Sequence, residues 1–167
     1  MRTHSTIAIS CCALVAAIAM IGTPSAQEAK TTFQGVWKTL EVAVPGPVAQ
    51  TFKPGATLAM FHGRHYSRIE VHADQPRPLL ADPATASADQ LRAVWGPFVA
   101  EAGTFELSGK DVITMRASVA KNPAAMASGA SSVYTYRREG GLLTLTQVRT
   151  LNGPAANPIV VTLTRVE

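Results

Sequence analysis

One pattern repeats from residue 36 to the end of the chain. Segments of about 6–9 residues, rich in β-branched, aromatic and leucine side chains, alternate with clusters of glycine, proline and asparagine. Residues 36–44 stop at Pro45-Gly46-Pro47. Residues 57–61 and 65–72 flank a turn holding Gly63, residues 103–107 and 111–119 flank Ser108-Gly109-Lys110, and residues 131–137 and 142–149 flank Glu139-Gly140-Gly141. Each pair reads as a hairpin. Residues 159–166 follow Asn152-Gly153-Pro154 and Asn157-Pro158. The count is eight strands joined mostly by short turns.

Within them the apolar side chains alternate. Ile113, Met115, Ala117 and Val119 share one face against Thr114, Arg116 and Ser118; Ile159, Val161 and Leu163 oppose Thr162 and Thr164. Period two with one wet face implies an antiparallel sheet buried on one side. Eight consecutive antiparallel strands remove their edges by closing into an up-and-down barrel, which is about wide enough to hold one small ligand. The fold class is therefore all-β, an eight-stranded antiparallel up-and-down barrel with one short helix in a long loop. That loop begins at His72 and carries Pro76, Pro78 and Pro83. Ser87-Ala88-Asp89-Gln90 then forms a capping box, with Ser87 as N-cap. Leu91, Val94 and Trp95 share a helical face that Phe98 extends, and Gly96-Pro97 ends or kinks the helix near Trp95. This aromatic face is expected to pack on the barrel wall or mouth.

The start of the chain is of another kind. Arg2 and His4 precede an uncharged, apolar run over residues 7–21, broken by Gly22, Thr23 and Pro24 and followed by Ser25-Ala26. Such a run is short for a membrane span and suits a cleavable secretory signal. Three regions are expected: a signal peptide at 1–26, a polar leader at 27–32 and the barrel domain at 33–167. The mature protein would be periplasmic or secreted and without a membrane span. Cys11 and Cys12, the only cysteines, leave with the signal, so no disulfide or cysteine metal site is expected. The net charge of +4 comes from basic residues scattered along the chain, with only Arg137-Arg138 adjacent. A nucleic-acid surface would cluster them, and none is expected.

Catalytic signatures are sparse. His62 and His65 straddle a turn, and with His72, Glu70 and Asp74 they form no ordered ligand set, so no metal is assigned. No Gly-x-Ser-x-Gly elbow and no Rossmann or phosphate-binding glycine loop occurs, so no nucleotide cofactor is expected. An acid–base set could still be drawn from Glu41, Glu70, Arg68, Arg116 and a histidine on facing strands, but spacing alone cannot show that they converge.

An ordered series of motifs resembles the bacterial lipocalin-like family of small calycin-type barrels. It comprises Gly35-Val36-Trp37, the glycine hairpin at 58–67, Ala102-Gly103-Thr104-Phe105-Glu106-Leu107, a strand ending at Lys121-Asn122-Pro123, and a last hairpin with Gly140 and Leu143-Thr144-Leu145-Thr146. The resemblance spans residues 35–146. It departs from the family at Ala124-Ala125-Met126, where an aromatic usually follows Asn-Pro. It implies that Trp37 plugs the closed end of the barrel and that Arg165, from the last strand, stacks across it, both as structural closure.

The leading expectation is a binder of one small hydrophobic molecule, without catalysis. Its pocket would be lined by Met60, Phe105, Ile113, Met115, Tyr134, Tyr136, Leu143 and Leu145, with Val161 and Leu163 also inward. The alternative is an isomerase or cyclase acting on a hydrophobic substrate in the same cavity, with His65 or Glu41 as base and Arg68 or Arg116 stabilising an oxyanion. A docking role for the Leu91–Trp95 face ranks third. Two or more ionisable groups converging inside the barrel would favour the enzyme.

Overall fold

The computed structural model describes residues 33–167; the signal and leader assigned to 1–26 and 27–32 lie outside the described residues. The strands are β1 (Gly35–Val44), β2 (Gln50–Phe52), β3 (Thr57–His62), β4 (His65–Val71), β5 (Phe98–Ser108), β6 (Val112–Ala120), β7 (Ser132–Glu139), β8 (Leu142–Thr150), β9 (Gly153–Pro154) and β10 (Val160–Arg165). Helix α1 (Ala88–Trp95) lies between β4 and β5, and a 3-10 turn (Pro123–Met126) precedes β7. Antiparallel pairing runs β10-β1-β3-β4-β5-β6-β7-β8, and β8 also pairs with β10, which closes an eight-stranded barrel. The short strands β2 and β9 sit beside β1 and β8.

The two ends of the barrel differ. Tight turns at Gly63, Gly109 and Gly140 all fall at the end where β1 starts. The four long connections, 45–56, 72–97, 121–131 and 151–159, all fall at the opposite end. One end is therefore sealed by turns, and the other is a mouth built of loops.

The sealed end is filled with aromatic side chains. Phe33 meets Tyr136 edge-on at 4.7 Å and Phe61 at 5.4 Å, and Phe61 meets Phe105 at 5.4 Å. Trp37 Nε1 donates to the Phe33 carbonyl at 3.0 Å. The Arg165 guanidinium lies 5.7 Å from the Trp37 ring and donates to the carbonyls of Gln34 at 2.7 Å and Glu167 at 3.0 Å. It thus ties the first strand to the last. Each large apolar side chain fully buried here contributes about 1.5–3 kcal/mol.

Two expectations are corrected and one is refined. Met60 points outward and is 41% exposed, because its neighbours Ala59 and Phe61 hold the inward positions of β3. The strand expected at 103–107 begins at Phe98: the alanine-rich stretch 98–102 lacks bulky alternation, yet it pairs with β4 along its whole length. Helix α1 has the expected capping box, but none of its residues is buried. Trp95 is 48% exposed and packs edge-on at 5.9 Å against Phe98, the first residue of β5, at the mouth end of the barrel wall. Tethers to backbone carbonyls hold the helix as well: Lys121 Nζ donates to the carbonyls of Trp95, Gly96 and Phe98, and Arg77 donates to that of Val94.

At the β-bulge between Ala102 and Gly103, β6 crosses directly over Gly103. A Cβ placed there would stand 2.0 Å from the Arg116 carbonyl oxygen and 2.8 Å from Ala117 Cα, both backbone atoms. Gly103→Ala should therefore cost about 3 kcal/mol or more, read as a lower urea midpoint; an unchanged midpoint would show that this crossing is not tight.

Candidate functional site: a polar layer inside the barrel

Strand β4 is built inside out. Its apolar residues Ile69 and Val71 alternate with Tyr66, Arg68 and Glu70, and the polar set takes the inward face. Ile69 is left 46% exposed, while Glu70 is 2% exposed. His72, one step beyond the strand, keeps the inward parity and is half-buried.

The inward groups are mutually engaged. Glu101, opposite Arg68 in the β4–β5 register, accepts from the Tyr66 hydroxyl at 3.2 Å and faces Arg68 Nε at 3.0 Å. Glu70 Oε1 accepts from the Thr39 hydroxyl at 3.1 Å, and Glu70 Oε2 lies 2.6 Å from His72 Nε2. Thr39 is itself set by its backbone N–H, which donates to the Thr57 hydroxyl at 2.9 Å. Tyr134 comes from β7 on the far wall, with its hydroxyl 3.5 Å from the Gln147 amide nitrogen. Phe52 of β2 lies against the His72 ring at 5.3 Å.

Arg68 is the under-satisfied member. Its buried Nε has no aligned hydrogen-bond acceptor despite the nearby Glu101 oxygen. No hydrogen bond joins its terminal nitrogens to a described residue. Burial disfavours a charged guanidinium, but Tyr134, Glu101 and Glu70 outweigh burial and raise its pKa further, so it stays cationic. A buried donor without an acceptor is costly and suits a ligand oxygen.

Burial likewise pushes Glu70 toward the neutral acid. The His72 hydrogen bond, the Arg68 and His72 charges and the Thr39 hydroxyl overcome it, and hold the carboxyl below its ordinary value. Burial first, then the Glu101 charge, push the Tyr66 phenol well above its ordinary value, so it remains a neutral donor.

Of the residues expected to line a pocket, Phe105, Ile113, Met115, Tyr134, Leu143 and Leu145 are buried in one cluster with Trp37, Val161 and Leu163; Tyr136 packs against that cluster. Phe105 and Tyr136 belong to the aromatic packing of the sealed end, while Tyr134 reaches the polar layer. Met60 is outside. Of the acid–base candidates, Arg68 and Glu70 are inside. His62 and His65 are exposed, and Arg116 faces outward onto Glu106 at 3.1 Å. A β-bulge between Thr39 and Glu41 turns Glu41 to the outer face, opposite Thr162. Tyr66, Glu101, Thr39, Gln147 and the plug Phe33 were not singled out from the sequence. The parity of Tyr66, Arg68, Glu70 and His72 was a legible signal, but a hydrophobic-inward rule assigns that face to solvent.

No protein-family model matches the chain, and no curated protein matches it significantly. Among solved structures it is similar to a redesigned β-barrel, at 14% identity and a TM-score of 0.42, over 83% of this chain and 96% of that one. That likeness carries no argument about function.

Because the Glu70 carboxyl is depressed in the fold, its ionised form stabilises the protein above the ordinary carboxylate range. That stabilisation is lost as pH falls through the depressed folded value. Melting temperatures followed from neutral to acid pH should therefore fall less steeply for Glu70→Gln than for the unmodified protein. Parallel acid limbs would contradict this placement of Glu70.

Proposed function

We propose that the chain is an exported lipocalin-like protein that binds one small, mostly apolar molecule carrying an oxygen function, with that oxygen seated at Arg68. The observation that carries this reading is the half-buried, inward Arg68, whose buried Nε has no aligned acceptor, inside a barrel whose long connections all gather at one end. The buried cluster of the barrel, which includes Met115, Leu145, Val42 and Val161, supplies the apolar side chains. A planar guanidinium suits a carboxylate or carbonyl oxygen, and Arg–oxygen contacts in low dielectric are strong. The lipocalin resemblance supports the same reading, as does the signal-like apolar run within residues 1–26, which suits export.

A dansyl-labelled fatty acid offers both an apolar chain and a carboxylate. It should bind with micromolar affinity, about −8 kcal/mol, and Arg68→Met should weaken it about 10-fold or more. Arg68→Lys, which keeps the charge but loses the planar fork, should fall between. The reading fails if binding is not saturable or if Arg68→Met binds as tightly as the parent. For export, N-terminal sequencing of the protein recovered outside the cytoplasm should start near Gln27; an intact Met1 there would remove the signal-peptide assignment.

A further inference from the structure

We propose that the groove between the outer face of β4 and the loop that carries α1 is a second binding site, outside the barrel, and that it takes an aromatic carboxylate. It does not depend on the reading of the barrel interior.

The groove encloses a cavity of about 630 Å3, a size that suits one drug-sized ligand. Val71 lines it. Val71 shares the outward parity of Ile69, not the inward parity of Glu70, so the cavity lies outside the barrel wall. Gly55 and Ala56 form one edge, and residues 73–80 with Val94 and Trp95 form the rest. These walls are pinned to one another. Val71 N–H donates to the Ala56 carbonyl at 3.0 Å, and Lys53 N–H donates to Asp74 Oδ1 at 3.1 Å. Pro76, Pro78 and Pro83 stiffen the rim, since each fixes its own backbone φ.

Two lining groups define the ligand, and Phe98 holds both. The Arg77 guanidinium lies 5.0 Å from the Phe98 ring centroid, and the Trp95 ring meets the same ring edge-on at 5.9 Å. Arg77 Nη1 donates to the carbonyl of Val94, the residue before Trp95, at 3.3 Å. Cation and indole are thus fixed side by side on one cavity. Arg77 is half-buried, yet none of the ion pairs among the described residues involves it. Asp74, the acidic residue of the lining, is engaged by Lys53 instead. Nε and Nη2 of Arg77 have no hydrogen-bond acceptor among the described residues. A planar guanidinium with two free donors matches a carboxylate. The apolar part of the ligand follows from what is left in water: Trp95 is 48% exposed and Leu79 is 99% exposed. A flat ring system laid against the indole covers both, in the offset geometry that aromatic pairs prefer.

The test titrates 1-pyrenebutyrate into the purified protein and follows amide NMR shifts, with the Trp95 indole N–H identified by its loss in Trp95→Phe. Shifts should saturate and concentrate at residues 73–80 and 94–95. 1-Pyrenebutanol keeps the ring system and loses the charge, and should bind about 5-fold or more weakly. Arg77→Gln should abolish that difference between the two probes. Because Arg77 also tethers α1, Leu79→Asp serves as a second variant. It places an anion at the groove on a side chain the fold does not use, and should weaken pyrenebutyrate about 10-fold with an unchanged melting temperature. The proposal is overturned if residues 73–80 and 94–95 show no saturable shift, if acid and alcohol bind equally, or if Leu79→Asp binds pyrenebutyrate as tightly as the parent. Shifts at Tyr66 and Met115 report the barrel interior separately; finding those without shifts at Trp95 overturns the groove and leaves the barrel reading standing.

Discussion

A two-residue turn decides which face of β4 looks into the barrel. His62 pairs with His65 across Gly63 and Arg64, and Gly63 adopts a φ of 60°, the left-handed conformation that glycine takes without strain. With the turn fixed, Phe61 stands opposite Tyr66, their rings 6.5 Å apart. Phe61 is locked inward by Phe33 and Phe105, so Tyr66 must point inward, and strand periodicity carries Arg68, Glu70 and His72 with it. A slip of one residue would exchange that whole set for Ser67, Ile69 and Val71. The turn is braced from outside as well: the Gln34 side chain accepts from Gly63 N–H at 2.7 Å and donates to its carbonyl, and Phe105 N–H donates to the Arg64 carbonyl. The aromatic plug and the polar layer thus depend on the same hairpin.

That dependence explains how a costly arrangement persists. Burying Arg68, Glu70 and Glu101 in place of apolar side chains of similar size yields no stability on balance, since desolvation takes back most of the attraction. What it supplies is a set of groups whose orientation is fixed by their mutual contacts. The charges are arranged in alternation along β4 and β5, with the guanidinium between two carboxylates and the imidazole at the mouth. Thr39 and Tyr66 take up carboxylate oxygens, so the layer leaves its free hydrogen-bonding capacity on Arg68 and His72.

Most of the barrel was legible because its signals are local. Glycine turns, period-two alternation in β6 and β10, and the Ser87–Gln90 box each depend on a few adjacent residues, and the strands and helix they mark are present. The contact of Trp37 with Arg165 followed from the resemblance together with the strand parity that Arg165 shares with Val161 and Leu163. Where reading failed, the information was not local. Methionine's apolar character points Met60 inward, but Phe61 beside it is the stronger anchor and takes the inward place. Glu41 lost its candidacy to a bulge at Leu40 that no residue type announces. The first part of strand β5 gives little signal because residues 100–102 are small or charged, and their pairing is set by β4. The polar layer was missed for a related reason: its members lie on five different strands, and only closure of the barrel brings Thr39, Glu70, Glu101, Tyr134 and Gln147 to one level.

The outer surface records the same inversion. Leu58 pairs with Ile69, Ile69 with Ala100, and Ala102 with Val119, so the outward face of β3, β4, β5 and β6 carries a run of apolar groups that includes Met60. An exposed apolar patch ordinarily points to a partner. Here the register supplies a sufficient cause. When the polar residues of β4 are turned inward, the β-branched residues that keep it a strand have only the outer face left to occupy. Leu58 and Met60 are the outward complements of Ala59 and Phe61 for the same reason. The patch is therefore the external counterpart of the internal site, and both follow from the geometry of one hairpin.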